Sequence, residues 1–288
     1  MIRSRLNSAN FEFIQEVGHG AYGTVFKVRL KNGSLDYQHG EPQSYYVIKR
    51  IHMKNLKESE KVRQEREAQT MMRLNHPFLI RCYDAFSEGE YLSLVLEYAE
   101  EGNLDAFIKR RRDQIGGIKQ SELMRICWEL CEGVAYLHAK KVVHRDLKST
   151  NILLARNKQV KIGDFGTSRE LHGEEELMRT HIGTPLYMAP EIISRKPYSQ
   201  KADIWSLGCL LYYVATLKHP FQNTDLLSLY FSVLHERPKM LEMNDKVPAA
   251  FAQTVMRMLS RDANSRPEAK DIQEEKQKEL DWRVVSIK

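Results

Sequence analysis

The chain has few of the features that mark secreted, membrane-spanning or repetitive proteins. It carries only 4 cysteines in 288 residues, no internal repeat, and no apolar run near the roughly 18–20 residues that a membrane helix needs. The first residues, MIRSRL, lack an apolar core and do not resemble a secretory signal. We therefore expect no membrane contact, a cytoplasmic or nuclear location, and reduced cysteines within apolar segments: Cys82, Cys127, Cys131 and Cys209.

Charge of one sign is not concentrated in the chain either. A formal charge of +6 is spread over 44 basic and 38 acidic residues, and the one dense basic cluster is Lys109–Arg112. Such a cluster is usually the solvated end of a helix, although it could receive an acidic or phosphorylated partner. Aromatic residues are not interleaved with the basic ones, as they are on many nucleic-acid surfaces. We predict no nucleic-acid partner.

Hydrophobic patterning divides the chain into a strand-rich part and a helical part. The length and the composition, 42% hydrophobic and 28% charged, suit a globular protein of two lobes. The first part predicts two strands around a glycine turn at 11–30, a long polar loop at 31–44, a strand at 45–51, a helix at 57–74, and strands at 80–86 and 91–97. After Gly102 the predicted helices are 123–137, 201–216, 225–234, 249–259 and 268–284. The fold class is therefore α+β, with a small antiparallel β-sheet lobe carrying one main helix and a larger, mostly helical lobe.

The most informative feature is a pair of motifs, HRDLKSTN at 144–151 and DFG at 164–166. Asp146 could accept the proton of an attacking hydroxyl, and Lys148 could neutralise charge that develops on a transferred phosphoryl group. Asn151 and Asp164, on either side of a short apolar hairpin, supply the oxygen ligands that Mg²⁺ prefers. Each residue alone would be an ordinary solvated loop residue, but their order and separation disfavour that alternative.

A glycine-rich segment near the N-terminus predicts a phosphate-binding turn. The sequence GHGAYGTV at 18–25 has the GxGxxGxV spacing, in which glycines let backbone amides approach phosphate oxygens. The same letters open dinucleotide-binding folds, but a strand rather than a helix follows them here, which disfavours that alternative. The candidate nucleotide-binding residues in this segment are Val17, Gly18, His19, Gly20, Ala21, Tyr22, Gly23, Thr24 and Val25.

A lysine in an apolar strand supplies the next candidate. Burial of the Lys49 charge would require a partner, and the alternative is a lysine on the solvent face of a half-buried strand. Glu67 in the following predicted helix is the preferred partner because it shares a face with Met71, and Glu65 is the rival. An ion pair with Glu67 would hold Lys49 against nucleotide phosphates.

The end of the last predicted strand is a candidate for base recognition. Backbone groups of Glu97 and Ala99, where the apolar run LSLVLEYA ends, could hydrogen-bond an adenine edge. The alternative is a plain strand end, which the sequence cannot distinguish because backbone atoms would make the contacts.

These motifs are shared with a known family. From residue 11 to about residue 270 the sequence resembles the eukaryotic protein kinases. The serine/threonine branch is indicated by DLK at 146–148 and GTP at 183–185. Within that branch the chain most resembles the NIMA-related (NEK) kinases, in the segments NHP at 75–77, YDAF at 83–86 and GTPLYMAPE at 183–191. The resemblance implies the two-lobed protein kinase fold, ATP and Mg²⁺ as cofactors, and a protein substrate.

The resemblance also implies structural roles outside the motifs. Glu191 would pair with Arg266, and Asp203 would hold the 144–151 loop. Val47 stands where the family usually has alanine and should narrow the adenine pocket. The predicted division is an N-terminal extension at 1–10, a kinase N-lobe at 11–98, a C-lobe at 99–270 and a C-terminal helical extension at 271–288.

The predicted function is transfer of the ATP γ-phosphate to Ser/Thr hydroxyls of proteins by a monomeric catalytic domain. A catalytically silent pseudokinase scaffold is the main alternative, and a small-molecule kinase is a third. The segment 183–191 favours a protein acceptor over a small molecule. Thr180 is a candidate regulatory phosphosite because a phosphate there could pair with Arg145, the alternative being an ordinary loop threonine.

Overall fold

The computed structural model describes residues 6–20, 23–32, 45–54, 56–113, 118–164, 169–170, 185–197, 199–241 and 247–278. The chain divides into two compact units, Met1–Glu100 and Glu101–Lys288. The predicted domain limits at residues 10, 98 and 270 stay predictions.

The first unit is built on one antiparallel sheet of five strands, in the order β1-β2-β3-β5-β4. Their bounds are β1 Phe11–Gly20, β2 Gly23–Leu30, β3 Tyr46–His52, β4 Cys82–Glu88 and β5 Tyr91–Glu97, and helix α1, Glu58–Arg73, follows β3. Strands β4 and β5 form a hairpin, and β5 pairs with β3. The predicted strand-rich lobe with one main helix is confirmed.

Alternation along the strands gives the sheet one fully buried face. Tyr46 and Ile48 of β3 are buried, whereas Val47 and Lys49 between and after them are half-buried, which is the period of two expected of a strand. The buried face continues across the sheet in a core that also includes Phe11, Val28, Phe86 and Val95. Burial of each such side chain stabilises the fold by about 1.5–3 kcal/mol. Val47 and Lys49 therefore share the opposite face.

Helix α1 buries one of its sides against the rest of the first unit. At its start the Lys57 backbone N–H donates to the Glu60 carboxylate at 2.8 Å, which satisfies an amide that the helix leaves unpaired. Its buried residues recur at spacings of three and four: Gln64, Glu67, Ala68 and Met71. This side of the helix packs against β4.

The second unit is mostly helical, as predicted. Its helices are α2 Leu104–Arg112, α3 Gln120–Ala139, α4 Pro190–Ile193, α5 Gln200–Thr216, α6 Leu226–His235, α7 Ala249–Met258 and α8 Ala269–Lys278. Short strands pair as β7 (Ile152–Leu154) with β8 (Val160–Ile162), and β6 (Val142–Val143) with β9 (Arg169–Glu170). Within the described residues, no helix combines the length and the apolar character that crossing a membrane requires.

Helix α5 is buried on nearly all sides. Its buried residues include Ile204, Trp205 and Leu207, which is typical of a helix at the centre of a core. Gly208 lets α7 approach closely, because a Cβ there would lie 2.9 Å from the Met258 Cβ. The four cysteines are free and buried, which confirms the prediction of reduced core residues.

Helix α2 is an element to which the sequence analysis assigned no bounds. It begins after Asn103, whose side-chain oxygen accepts a backbone N–H of the first turn at 2.9 Å. It ends in the basic cluster at 109–112, where positive charge suits the helix dipole. Lys109 pairs with Asp105 one turn earlier at 2.9 Å. The basic cluster is therefore the solvated end of a helix, as expected.

Candidate functional site

A hydrogen-bonded hairpin links the two candidate metal ligands of the second unit. Ile152 of β7 pairs with Ile162 of β8, and the Gly163 N–H donates to the Asn151 carbonyl at 2.9 Å. Asn151 and Asp164 therefore lie at neighbouring ends of the two strands. The Asp164 side chain is exposed, and its φ of 53° lies in the left-handed region that non-glycine residues rarely adopt.

Asp146 is contacted by two side chains of its own loop. The Lys148 ammonium lies 2.7 Å from Asp146 Oδ2. The Asn151 amide nitrogen donates to the same oxygen at 2.9 Å and to the Asp146 carbonyl at 2.8 Å. Because the amide nitrogen is used in this way, the side-chain oxygen of Asn151 is the atom left to bind a metal. The loop thus places a positive charge and a candidate metal ligand beside the candidate proton acceptor.

His144 joins this loop to the residue before Asp164. The ring is fully buried, with Nε2 lying 3.0 Å from the Gly163 carbonyl. Since a carbonyl can only accept, we assign the proton to Nε2, and Nδ1 then accepts the Asp146 N–H at 3.3 Å. Both ring nitrogens are satisfied, and the imidazole holds the loop and the end of β8 together.

Asp203, in the first turn of α5, holds the 144–151 loop through two hydrogen bonds. Its Oδ2 accepts the His144 N–H at 2.8 Å, and its Oδ1 accepts the Arg145 N–H at 2.9 Å. These bonds stabilise Arg145 in the left-handed region at a φ of 72°. Burial raises the pKa of Asp203, but His138 at 3.0 Å, the charge of His144 and the Arg145 N–H together lower it below its usual value. The structural role implied for Asp203 is confirmed.

Glu191 and Arg266 form the implied brace. Arg266 Nη1 and Nη2 donate to the two Glu191 carboxylate oxygens at 2.7 and 2.8 Å, which is a bidentate pair. The guanidinium also lies 5.1 Å from the centre of the Trp205 ring. This pairing is confirmed, and it joins α4 to the segment before α8.

In the first unit, the predicted glycine turn connects β1 and β2. Gly18 pairs with Val25, His19 with Thr24, and Gly20 with Gly23, and a bulge at Val17 interrupts the ladder just before them. The Thr24 hydroxyl lies 3.1 Å from His19 Nδ1. Gly23 has a φ of 147°, and a Cβ there would lie 1.9 Å from the Arg50 carbonyl oxygen, so glycine is required at this position.

Lys49 and Glu67 belong to two elements of the first unit. Lys49 lies on β3 opposite Val25 of β2 and Leu94 of β5. Glu67 is buried on α1, whereas its rival Glu65 is only half-buried. The buried position supports the choice of Glu67 as the inward-facing carboxylate, and its role stays a prediction.

The end of β5 offers backbone groups for base recognition. The Glu97 N–H donates to the Arg81 carbonyl at 2.9 Å, and its side chain accepts the Arg81 N–H at 3.1 Å. Contact of the Glu97 and Ala99 backbone groups with an adenine edge stays a prediction. Of the other predicted site residues, Ala21, Tyr22 and Thr180 lie outside the described residues.

Sequence reasoning missed a set of polar residues beside the 144–151 loop. The Ser149 hydroxyl donates to Asp105 Oδ1 at 2.8 Å and accepts from the Tyr187 hydroxyl at 3.1 Å. His138, the partner of Asp203, was missed as well. Only Ser149 has a signal in the sequence, its position inside the motif, because the other contacts join distant segments.

Comparison with known proteins identifies the family. The family model described as protein kinase domain matches residues 11–277, nearly the whole chain. The chain belongs to the protein kinase family. Its kinase domain is 38% identical over 231 residues to the serine/threonine-protein kinase Nek5 of Mus musculus, covering 79% of this chain and 34% of that protein. It is 35% identical over 272 residues to Nek11 of the same species, covering 94% of this chain and 42% of that protein.

A third relative extends this result. The kinase domain is 33% identical over 265 residues to the serine/threonine-protein kinase Nek4 of Mus musculus, covering 92% of this chain and 32% of that protein. The predicted two-lobed kinase fold and the predicted resemblance to the NEK kinases are therefore confirmed. The chain spans between about a third and two fifths of the length of these curated relatives.

The residues of this kinase domain fit a magnesium–nucleotide complex. The Asn151 side-chain nitrogen donates to Asp146, which leaves its side-chain oxygen to bind a metal. Asp164, at the neighbouring end of the hairpin, is exposed. Within the described residues no group of three or more His, Cys, Asp or Glu side chains forms a metal cage. A magnesium ion bound by one or two protein oxygens, with phosphates and water completing its shell, needs no such cage.

Proposed function

We propose that the chain catalyses transfer of the γ-phosphate of ATP to Ser/Thr hydroxyls of protein substrates, with Mg²⁺ as cofactor. The observation that carries the proposal is the environment of Asp146. Its carboxylate contacts the Lys148 ammonium and the Asn151 amide, in a loop that Asp203 and His144 hold in place. The NEK relatives are serine/threonine-protein kinases, which supports the choice of serine and threonine as acceptors.

Each side chain of the 144–151 loop has a separate part in this reaction. Asp146 would orient the acceptor hydroxyl and accept its proton, and Lys148 would offset negative charge on the transferred group. Asn151 and Asp164 would hold the metal by their side-chain oxygens. When bound, the magnesium–ATP complex supplies the phosphoryl group and neutralises phosphate charge. In the first unit, Lys49 and the 18–25 turn would bind nucleotide phosphates.

A radiolabel transfer assay tests the proposal. The wild type should label serine and threonine in a peptide library, and Asp146→Asn should lower the rate by roughly 10²–10⁴-fold, the usual contribution of a positioned base. Asp262→Asn is a matched control because Asp262 is an exposed carboxylate that caps a separate turn. Binding of ATP by the wild type with no transfer to any peptide would contradict the proposal and indicate a pseudokinase.

We propose further that the catalytic domain is monomeric and acts in the cytoplasm or nucleus. The four free, buried cysteines support the proposed location, because reduced cysteines suit a reducing compartment. We also propose Thr180 as a regulatory phosphosite, supported by Arg145 directly before Asp146 in the sequence.

A further inference from the structure

Three hydrogen-bonded side chains link the 144–151 loop to two other segments of the second unit. The Tyr187 hydroxyl donates to Ser149 Oγ at 3.1 Å, and the Ser149 hydroxyl donates to Asp105 Oδ1 at 2.8 Å. We call Asp105, Ser149 and Tyr187 the hydroxyl relay. Each member comes from a different segment: α2, the 144–151 loop, and the turn Pro185–Tyr187.

Burial makes the relay costly to break. Ser149 is 3% exposed and Tyr187 is 5% exposed, so water cannot readily replace a lost partner. Burial also raises the pKa of the Tyr187 phenol, which therefore stays a hydrogen-bond donor. Burial opposes ionisation of Asp105, but bonds from Lys109 and Ser149 outweigh it and lower the pKa of that carboxyl. The carboxylate consequently remains an acceptor.

Ser149 is connected on both sides to residues with a proposed catalytic role. It opens a single helical turn, Ser149–Asn151, in which the Asn151 N–H donates to the Lys148 carbonyl at 3.0 Å. Lys148 and Asn151 both contact Asp146. A displacement of Ser149 would therefore move the ammonium group and the metal ligand relative to the carboxylate.

Tyr187 is itself held from the side of the core. Its backbone carbonyl accepts the Ser206 hydroxyl of α5 at 2.8 Å. Its ring lies 5.3 Å from the His219 ring in an edge-on arrangement. The phenol is thus a fixed point against which the Ser149 hydroxyl is located.

We propose that the hydroxyl relay positions Lys148 and Asn151 for phosphoryl transfer, so that its three members are positioning residues for the reaction. The inference rests on the proposed kinase activity. It predicts an effect on turnover rather than on nucleotide affinity, because no relay member is among the residues proposed to bind ATP. Since misplacement by about 1 Å can cost about 10²-fold in rate, loss of the relay should lower kcat by roughly 10–100-fold.

Steady-state kinetics of Ser149→Ala and Tyr187→Phe test the inference on the full chain. Each variant should lower kcat for a peptide substrate by roughly 10–100-fold, with the KM for ATP unchanged within about twofold. The double variant should be no worse than the poorer single variant, because both changes break one connected chain of bonds. Melting temperatures show which variants are folded, and Tyr187→Phe keeps the ring packing if Ser149→Ala does not fold.

A conservative variant and a matched control separate positioning from general destabilisation. Asp105→Asn keeps an acceptor oxygen for Ser149 and should retain most of the activity, whereas Asp105→Ala should behave like Ser149→Ala. Ser232→Ala removes an equally buried hydroxyl on α6 that accepts from Asn223 at 2.6 Å, and should leave kcat unchanged.

Three results would overturn the inference. They are wild-type kcat in Ser149→Ala and Tyr187→Phe, additive losses in the double variant, and an equal loss in Ser232→Ala. If the wild type transfers phosphate and these variants are unimpaired, the inference fails alone. A wild type without transfer refutes the proposed function and this inference together.

Discussion

The buried pair of Glu191 and Arg266 makes the stability of the second unit open to a quantitative test. Arg266 is 1% exposed, and its five N–H donors make five hydrogen bonds. Two go to the carboxylate of Glu191 and three go to the carbonyls of Ser260, Lys201 and Arg261. Glu191→Ala would leave two donors unpaired and a buried positive charge without its counterion.

The expected loss of folding stability follows from the loss of these two hydrogen bonds and of the counterion. Removal of one partner of a buried ion pair costs about 3–5 kcal/mol, a large part of the about 5–15 kcal/mol that holds a typical domain together. With a urea dependence of about 2–3 kcal/mol per molar, the urea concentration at the unfolding midpoint should fall by about 1–2.5 M. Trp205 is fully buried and Trp128 is half-buried in the second unit, so the fluorescence of these two tryptophans reports its unfolding.

An ion pair with a solvent-exposed lysine in the same unit provides the control. The Lys109 side chain is 66% exposed and pairs with Asp105 one helical turn away, so solvent screens the attraction between the two charges. Lys109→Ala should therefore leave the midpoint nearly unchanged. The double variant Glu191→Leu/Arg266→Met should recover part of the loss, because it removes the uncompensated charge. A midpoint for Glu191→Ala as high as that of Lys109→Ala would refute the reasoning.

Two further predictions concern α5 and the loop that follows it. Asp203→Asn turns an amide donor toward a backbone N–H that the carboxylate accepts, so kcat should fall by about 10²-fold. The affinity for ATP, measured by calorimetry, should be retained. A kcat equal to that of the wild type would contradict the role of Asp203. Burial lowers the pKa of His219 from 6.5 to about 4; the Asp105 charge opposes this shift and the Arg112 charge adds to it. Between pH 6.5 and pH 4 the histidine therefore gains a proton only in the unfolded state. The free energy of unfolding should consequently fall as the pH drops from 6.5 toward 4. Melting curves recorded at pH 6.5 and pH 4 should show that His219→Phe loses about 1–2 kcal/mol less stability than the wild type over this range, a figure that allows for solvent screening. An equal loss of stability in the two proteins would contradict the prediction.

Much of the fold could be predicted because its signals are local. The strands around Tyr46 and Ile48 follow a period of two, and most of the long helices of the second unit begin and end within a few residues of their predicted bounds. The candidate site was equally accessible, since HRDLKSTN and DFG lie thirteen positions apart across one hairpin, from Asn151 to Asp164. Helix α2 received no bounds because it is short and its last turn is a run of charge rather than an apolar pattern.

By itself, the sequence determined the fold class, the family and the residue types at the candidate site, because these depend on periodicity and on motifs of adjacent residues. Tertiary structure alone decided that Ser149 binds both Asp105 and Tyr187, and that His138 shares Asp203 with the 144–151 loop. Those contacts join segments 38 to 65 positions apart. No local pattern specifies which distant polar groups meet, since the partners are selected by how the helices pack and by the need to satisfy every buried donor and acceptor.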